Sequence, residues 1–297
     1  MFKILTIHAD FWMVIAAAIL WGTIGVATQA IYSIDTTTSL FINLGRMLVA
    51  TPILMLACWR TVGPQMFQIR GRDWVVMVVS GALLAASHSA YFAAIRYSGV
   101  TIATLLTICV APIVVTTLSV LFRLERLSRS KVFALVCALV GSVLVVGFSP
   151  EGLYLDPVLG SLFALIAAAT YGSMIVGGRF VASGYHPLQI STVMFLAGTI
   201  TLLLVNLMNG VVPVQTPQGW LLVLYLGVVP TALAYWLFQV GLRSVSASAA
   251  SIIGMLDPVV AAVLAWVLYG ESLTAIGFVG TALLLASIAL VSSRRSA

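Results

Sequence analysis

Charged residues are scarce in this sequence. Only 7% of its 297 residues are Asp, Glu, Lys or Arg, whereas 62% are hydrophobic. A soluble domain carries about 25% charged residues, so this chain cannot cover the surface of a soluble fold. We therefore do not interpret the net charge of +6 as a nucleic-acid footprint and expect no nucleic-acid partner.

Signatures of catalysis and energy coupling are also missing. The sequence contains no P-loop pattern, no H-E-x-x-H zinc motif, no G-x-S-x-G nucleophile elbow and no Cys/His cluster. A T-V-G-Y-G channel filter is absent too. These absences argue against an ATP-driven pump, a hydrolase and a potassium-type channel. We expect no enzyme activity, no cofactor and no metal site.

Long apolar runs are what the sequence has instead. Ten segments of about 20 residues are apolar enough to cross a bilayer as helices. They are 11–31, 38–59, 74–95, 99–122, 131–148, 158–178, 187–207, 218–240, 246–268 and 273–292. The sequence thus predicts an all-α integral membrane fold of ten transmembrane helices in a lipid bilayer.

One Arg–Pro–Glu pattern occurs in both halves of the chain. Its members are Arg96, Pro112 and Glu125 in the first half and Arg243, Pro258 and Glu271 in the second. Proline and glutamate stand 13 residues apart in both copies. A module with five spans must re-enter the membrane in the opposite sense. Residues 1–150 and 151–297 are therefore predicted to be two inverted five-helix repeats around a central cavity, an arrangement common in alternating-access transporters.

Basic residues predict how the chain is oriented. Twelve of the 14 Lys and Arg residues lie at the termini or in even-numbered connections; Arg96 alone lies in an odd-numbered one, and Arg46 lies within a span. Cytoplasmic connections carry the excess of Lys and Arg in membrane proteins. Both termini are therefore predicted to be cytoplasmic.

Span three offers a polar pair at membrane depth. His88 and Tyr91 are three residues apart and so share one helical face. His88 could bind a substrate carboxylate or carry a proton. It could equally be a histidine satisfied by a neighbouring helix.

Further aromatic and amide side chains lie in spans six and eight. Tyr171 belongs to span six, and Tyr235, Trp236 and Gln239 belong to span eight. Tyr91, Tyr171 and Trp236 could reach inward and line a pocket. The alternative is that they anchor the helices at the membrane interface.

Asp257 is an acidic residue at the midpoint of span nine, directly before Pro258. Burying an unpaired carboxylate in a bilayer is costly, which makes such a residue a candidate for function. Three interpretations remain open at this stage. Asp257 could pair with Arg46 as a structural bridge. It could bind a substrate amine or a proton in an aqueous pathway. It could instead be neutral and hydrogen-bonded to a free backbone carbonyl group.

The two prolines of the repeat are candidates for hinges. A proline within a helix removes the backbone hydrogen bond to the residue four positions earlier. Pro112 and Pro258 fall near the middle of spans four and nine, at equivalent places in the two halves. They could act as hinges or polar lining, or simply serve packing.

These features resemble a known family. The ten spans, the Arg–Pro–Glu spacing and the segments 111–146 and 256–290 resemble the EamA-type branch of the drug/metabolite transporter superfamily. Within it, the pair His88 and Tyr91 is similar to the YddG-type amino-acid exporters of bacterial inner membranes. The resemblance implies export of aromatic and other neutral amino acids through a central cavity.

Several alternatives stay open after the sequence alone. The chain could be a drug, nucleobase or other metabolite carrier of the same fold, or a membrane receptor or scaffold without transport activity. Coupling to protons is also open, and His88 and Asp257 are the groups at depth that could titrate. The substrate-binding candidates are His88, Tyr91, Tyr171, Trp236, Gln239 and Asp257, and the structural ones are Arg46, Pro112 and Pro258.

Overall fold

The computed structural model describes residues 2–126, 128–146, 156–269 and 275–293, and these ranges contain helices and no strand. The helices are α1 (Phe2–Ile34), α2 (Ser39–Val62), α3 (Gly71–Leu121), α4 (Arg129–Val146), α5 (Pro157–Val181), α6 (Pro187–Asn209), α7 (Pro217–Gly227), α8 (Ala234–Gly241), α9 (Ala247–Gly254), α10 (Asp257–Tyr269) and α11 (Ala275–Ser293). A short 3₁₀ helix, Gly63–Phe67, follows α2, and a π-helical turn, Val228–Leu233, joins α7 to α8. Glu271 and residues 147–155, where the two predicted repeats meet, lie outside the described residues.

Local sequence signals set where several helices begin. α5, α6 and α7 each start on a proline, which fits the first helical position because its missing N–H would be unpaired there anyway. The preceding side chains cap the free backbone N–H groups. Asp156 accepts from Val158 N–H and Leu159 N–H, and Thr216 accepts from Gly219 N–H.

Seven helices of the described chain are long and apolar enough to cross a membrane. They match the predicted spans 11–31, 38–59, 74–95, 99–122, 158–178, 187–207 and 218–240. The other three predicted spans coincide with α4, with α9 followed by α10, and with α11, which are shorter. The all-helical membrane architecture is confirmed, and the count of ten spans stays a prediction.

The backbone of α3 is helical throughout, although the sequence predicts two spans there separated by a link at 96–98. The Tyr91 hydroxyl lies 2.6 Å from Thr104 Oγ1. In a straight helix, 13 residues would separate these positions by about 20 Å, far beyond the reach of a tyrosine side chain. The chain must therefore fold back between residues 91 and 104, which makes the two parts of α3 antiparallel.

Polar and apolar side chains are distributed as a membrane requires. Polar side chains such as Asn43, Arg46 and Gln239 are buried among the helices, while large apolar ones such as Leu162 and Phe278 are exposed. An outer surface this apolar is a liability in water and is suited to lipid. The burial pattern therefore agrees with a membrane environment for the helices.

A glycine of α1 brings that helix against the second half of the chain. A Cβ placed on Gly22 would lie 2.5 Å from Val260 Cβ and 3.0 Å from the carbonyl oxygen of Asp257. Real side chains do not approach this closely, so only a residue without Cβ fits there. α1 consequently packs directly against the start of α10.

A glycine of α5 makes the matching contact in the other direction. A Cβ on Gly172 would lie 3.0 Å from Val114 Cβ and 3.1 Å from the carbonyl oxygen of Ala111. Ala111 and Val114 stand 146 residues before Asp257 and Val260. The first helix of each half thus packs on an equivalent segment of the opposite half.

Two further glycines, Gly81 and Gly227, also form a matched set and stand 146 residues apart. A Cβ on Gly81 of α3 would collide with the carbonyl group of Met194 on α6, and its distance to the carbonyl carbon would be 2.8 Å. A Cβ on Gly227 of α7 would lie 2.9 Å from the carbonyl oxygen of Arg46 on α2. Each contact joins one half of the chain to the other.

α4 and α11 contact each other through a reciprocal glycine pair. A Cβ on Gly141 would lie 2.8 Å from the Gly280 carbonyl oxygen, and a Cβ on Gly280 would lie 2.7 Å from the Gly141 carbonyl oxygen. The last helices of the two halves therefore lie backbone to backbone.

One end of the molecule holds most of the basic residues, and we call it the basic end. It consists of residues 3–10, 60–73, 122–126, 128–131, 179–187 and 241–246. Connecting segments from both halves are hydrogen-bonded there. Asp10 Oδ2 lies 2.6 Å from Ser244 Oγ. The Tyr185 hydroxyl donates to Asp73 Oδ2 at 2.6 Å and accepts from Arg70 N–H at 3.1 Å. Segments that the charge pattern assigns to one side therefore meet at one end.

The opposite end is joined through Asp35, which lies in the connection between α1 and α2. Its Oδ2 accepts from Gln215 N–H at 2.8 Å, from Thr216 N–H at 2.9 Å and from Thr216 Oγ1 at 3.0 Å. The carboxylate thereby caps the start of α7. Both ends of the molecule are therefore tied across the two halves in this structure.

Lowering the pH should weaken the Asp35 contact. The hydrogen bonds, first that from Thr216 N–H, hold the pKa of this carboxyl below its ordinary value of 3.8. The stabilisation is therefore fully present above that ordinary value and is lost as pH falls through the lower pKa of the folded state. We expect the melting temperature in detergent to fall between about pH 5 and pH 3, and to fall less in Asp35→Asn. An equal acid-dependent fall in both proteins would contradict this assignment.

Candidate functional site

Six polar and aromatic side chains lie close together at the centre of the described helices, and we call them the central cluster. Three come from the first half and three from the second: Arg46, His88, Tyr91, Tyr171, Tyr235 and Asp257. Five of the six were singled out as candidate site or structural residues by the sequence, and the structure brings those five together.

Arg46 contacts His88 rather than Asp257. Arg46 Nη2 lies 3.1 Å from His88 Nε2 and 3.2 Å from His88 Nδ1. Only one of these contacts is a hydrogen bond, because a neutral imidazole has one nitrogen free to accept and an imidazolium has none. Since arginine is always charged, His88 faces Arg46 as a neutral acceptor. The predicted structural bridge between Arg46 and Asp257 is not formed.

Asp257 has neither an ion-pair partner nor a hydrogen bond to its carboxylate within the described chain. The residue is half-buried by accessible surface. The interpretation in which Asp257 binds a substrate amine or a proton in an aqueous pathway is the one that these contacts leave open, and it stays a prediction. The alternative in which it bonds to a free carbonyl group is not observed.

Tyrosines connect the two charged residues. Arg46 lies close enough to Tyr171 and Tyr235 to interact with both electrostatically, and so does Asp257. Asp257 interacts with Tyr91 as well. The arginine and the carboxylate thus flank the same two phenol rings without contacting each other.

Aromatic rings form one wall of the cluster. The ring centroid of Tyr235 lies 5.0 Å from that of Trp21 and 4.9 Å from that of Phe195. Trp21 also packs against Phe238 at 5.1 Å. The Trp21 residue is 6% exposed, and its indole N–H has no hydrogen-bond partner in the described chain. A buried donor without a partner is a place where a ligand or water can bind.

Two breaks in helix regularity lie beside the cluster. α9 ends at Gly254 and α10 begins at Asp257, so the predicted span nine is interrupted directly before Pro258. Helices interrupted at membrane depth expose backbone groups that can bind substrates. Pro112, by contrast, lies within the continuous α3. The two prolines therefore differ in structure, and their predicted role as hinges stays a prediction.

The second break is the π-helical turn Val228–Leu233 that precedes Tyr235. π-helical turns are rare and occur often at functional sites. The turn contains Pro230, whose backbone nitrogen has no hydrogen to donate. It also contains Thr231, which is fully buried and whose hydroxyl has no hydrogen-bond partner in the described chain.

The surroundings of Gln239 and Trp236 do not identify either residue as a binding residue. Gln239 is 1% exposed, its amide lies 3.3 Å from Met194 Sδ, and it packs against Gly178, so its surroundings do not favour a role in binding. Trp236 is half-buried against the main core, and its indole N–H is buried without a partner in the described residues. Its predicted binding role stays a prediction.

The inward positions of Tyr235, Trp21 and Thr104 are not apparent from the sequence. Tyr235 belongs to the aromatic set of span eight, but the sequence favours the adjacent Trp236 as the inward residue. Thr104 positions the Tyr91 hydroxyl at 2.6 Å. A threonine in an apolar span gave no distinct signal, because threonines can bond to their own helix.

Glu125 of the repeated pattern has a structural role outside the central cluster. Its side chain is 6% exposed and accepts from Lys131 Nζ at 2.7 Å and from Ser248 N–H at 3.1 Å, near the start of α9. Burial raises the pKa of this carboxyl, but these hydrogen bonds outweigh it and the pKa is lowered. Glu125 is therefore ionised at neutral pH and caps a helix of the other half.

Two surface depressions of the described chain lie elsewhere. One runs along the outer side of α4 and includes Val132 and Phe133, and the other lies beyond the end of α3 and includes Arg123 and Arg126. Neither contains a predicted site residue. The central cluster, which joins the two halves, remains the candidate site.

Comparison with known families agrees with this picture of two similar halves. The family model described as the EamA-like transporter family matches residues 9–147 and matches again at residues 158–293. The chain belongs to the EamA-like transporter family. It is accordingly a multi-pass membrane transporter and not an enzyme.

Relatives of this EamA-like transporter cover nearly its whole length. An uncharacterized transporter of Archaeoglobus fulgidus is 30% identical over 93% of each chain. The uncharacterized transporter YwfM of Bacillus subtilis is 28% identical over 94% of this chain and 92% of its own. A probable terminal-alkyne amino-acid exporter of Streptantibioticus cattleyicolor is 27% identical over 85% of this chain and 84% of its own.

One solved crystal structure has the same fold. It aligns with 97% of this chain and 99% of its own length at a TM-score of 0.82, with 21% sequence identity. At this identity the likeness supports the fold of the EamA-like transporter and carries no information on substrate.

Proposed function

We propose that this transporter exports neutral amino acids, aromatic ones among them, across the bacterial inner membrane by alternating access. The observation that carries the proposal is the central cluster, in which an arginine and an aspartate have no ion-pair partner among the described residues and lie beside tyrosines from both halves. A zwitterion with an apolar side chain needs charged or polar partners for its ends and aromatic walls for its side chain. The cluster offers both.

The proposal includes an architecture of ten transmembrane helices in two inverted five-helix repeats, 1–150 and 151–297, around a central cavity. Three sets of glycine contacts support it: those of Gly22 and Gly172, those of Gly81 and Gly227, and the pair Gly141 and Gly280. In each set, a contact that the first half makes on the second is matched by a similar contact that the second half makes on the first. A two-fold axis between the halves produces such matched contacts, and the repeated match of the family model supports it independently.

Cytoplasmic termini are also part of the proposal. The hydrogen bonds of the basic end join only segments that the basic-residue count assigns to the cytoplasm, such as Asp10 with Ser244 and Tyr185 with Asp73. Those of the opposite end join segments assigned to the other side, such as Asp35 with Thr216. This sorting supports the predicted sidedness.

Amino acids are proposed as substrates on two grounds. One relative is named as a probable terminal-alkyne amino-acid exporter, which supports both the substrate class and the direction. The opposite charges of Arg46 and Asp257 also suit a zwitterion better than a nucleobase or a lipophilic cation, which present no such pair. Export of drugs or nucleobases is the alternative within transport, and a receptor or scaffold without flux is the alternative outside it.

Uptake into proteoliposomes tests the proposal. Purified protein is reconstituted with a panel of radiolabelled neutral amino acids, including phenylalanine, leucine and alanine, alongside a nucleobase and a cationic dye. We expect saturable flux of at least one amino acid above protein-free vesicles, and an imposed pH gradient tests proton coupling in the same vesicles. Flux of the dye or the nucleobase without any amino acid would overturn the proposed substrate class. Folded protein without flux of any compound would indicate a receptor or scaffold.

A further inference from the structure

The central cluster contains an arginine and an aspartate at membrane depth that do not pair with each other. Within the described residues the one ion pair joins Lys131 to Glu125, at the basic end, and Arg46 and Asp257 have no ion-pair partner. Arg46 is 4% exposed, and its Nε has no hydrogen-bond partner in the described chain. Leaving charges buried and unpaired is costly, and a structure that tolerates this usually has a functional reason.

Arg46 and Asp257 lie around the same two tyrosines. Both interact electrostatically with Tyr171 and Tyr235, yet their nitrogen and oxygen atoms are too far apart to form an ion pair. Asp257 is anchored on the other side by the contact of its backbone with Gly22, next to Trp21, whose ring packs on Tyr235. A small molecule that carries a carboxylate and an ammonium group side by side presents one complementary charge to each of these residues.

His88 holds the arginine in this arrangement. It occupies Nη2 of Arg46 and leaves Nε without a partner. Because the imidazole accepts as a neutral group, it orients the guanidinium without cancelling its charge. His88 is therefore a positioning residue, and the guanidinium remains available for an anionic partner.

We propose that Arg46 binds the carboxylate and Asp257 binds the ammonium group of one zwitterionic α-amino acid. The inference rests on the proposed function and makes it more specific, because it assigns each charge of the substrate to a residue. It predicts that the transporter requires both charges. A primary amine without the carboxylate would leave Arg46 unpaired, and a carboxylic acid without the ammonium group would leave Asp257 unpaired.

A matched set of three competitors tests this inference on the wild-type protein in proteoliposomes. The best-transported amino acid of the panel is competed with itself, with its decarboxylated amine and with its deaminated acid; for phenylalanine these are phenethylamine and 3-phenylpropionate. We expect the amine and the acid to inhibit at least about 100-fold more weakly than the amino acid, because a site built for a polar group strongly rejects an analogue that lacks it. Equal inhibition by all three would overturn the inference.

Two single variants then assign the charges to residues. In Arg46→Gln we expect the preference for the amino acid over the amine to be lost, while the preference over the acid remains. In Asp257→Asn we expect the reverse. Arg46→Lys and Asp257→Glu, which keep the charges, serve as folding controls and should retain part of both preferences. If both neutral variants lose affinity for all three compounds equally, the residues are structural and the inference fails.

The outcomes separate this inference from the proposed function. If the wild type transports an amino acid but accepts its amine equally well, the function stands and the assignment of charges fails. If folded wild-type protein transports no amino acid of the panel, both fail together. Each variant is first checked for a monodisperse elution profile and a wild-type melting temperature in detergent, so that loss of fold is recognised.

Discussion

A disulfide between positions 10 and 244 should stop transport, and reducing it should restore transport. Asp10 Oδ2 and Ser244 Oγ lie 2.6 Å apart at the basic end, so the two side chains meet there and these positions are chosen for the cysteine pair. The bond would join α1 of the first half to the connection after α8 of the second. If alternating access opens this end, a covalent link across it must block the cycle.

The opposite end should behave in the same way. Asp35 Oδ2 and Thr216 Oγ1 lie 3.0 Å apart, and cysteines at 35 and 216 would link the connection after α1 to the start of α7. Both links are made in a background in which Cys58, Cys109 and Cys137 are replaced by alanine. We expect flux of either oxidised double variant to fall to the level of protein-free vesicles.

Single-cysteine variants at the same four positions are the matched controls. They receive the same oxidant but cannot form the internal link, so they should keep their flux. A thiol-reactive mass label measures how much of each double variant is crosslinked. Wild-type flux in a fully crosslinked protein would show that the linked segments move together, and the two halves would then not separate at that end.

The main property of the central cluster that the sequence does not reveal is which side chains of span eight face inward. Tyr235 and Trp236 are neighbours, so their side chains point about 100° apart around the helix. Which of them faces inward depends on the π-helical turn Val228–Leu233, because a π-helical turn inserts an extra residue and rotates everything after it. Nothing in the order of apolar residues of span eight reveals this rotation.

Partner choice for Arg46 was beyond sequence reasoning for a similar reason. The sequence identified Arg46, His88 and Asp257 as polar residues at membrane depth, and all three lie in the cluster. A pair of Arg46 with Asp257 is one of the three interpretations that the sequence leaves open, yet Arg46 contacts the neutral His88. Gly22 holds α1 against α10 and Gly227 holds α7 against α2, so Asp257 and Arg46 belong to different close helix pairs.

Other properties followed from elementary constraints and could be predicted. The need to satisfy every backbone group in lipid predicts helices, and seven long apolar ones are present in the described chain. The short link near residue 97 predicts an antiparallel pair, which the contact of Tyr91 with Thr104 confirms. The interruption before Pro258 was less predictable, because Pro112 occupies the equivalent place within an unbroken helix.

Gly81→Ala should destabilise the protein more than alanine at any of the other glycines described above. The new Cβ would meet the carbonyl group of Met194, which belongs to the backbone of α6 and cannot turn aside as a side chain can. Overpacking of this kind costs about 1–3 kcal/mol, and a clash with backbone belongs at the upper end. We expect the melting temperature in detergent to fall by roughly 5 °C or more.

Gly25→Ala is the matched control, because a Cβ on Gly25 would meet nothing within 4 Å. There the substitution only replaces glycine by a better helix former and should stabilise the helix by up to about 1 kcal/mol. Gly227→Ala tests the equivalent contact in the second half. Since its Cβ would press on the carbonyl oxygen of Arg46, we expect it to lower amino-acid flux as well as stability. If Gly81→Ala and Gly25→Ala melted at the same temperature, the close approach of α3 to α6 would be disproved. The proposed inverted repeat would then lose one of the three sets of glycine contacts that support it.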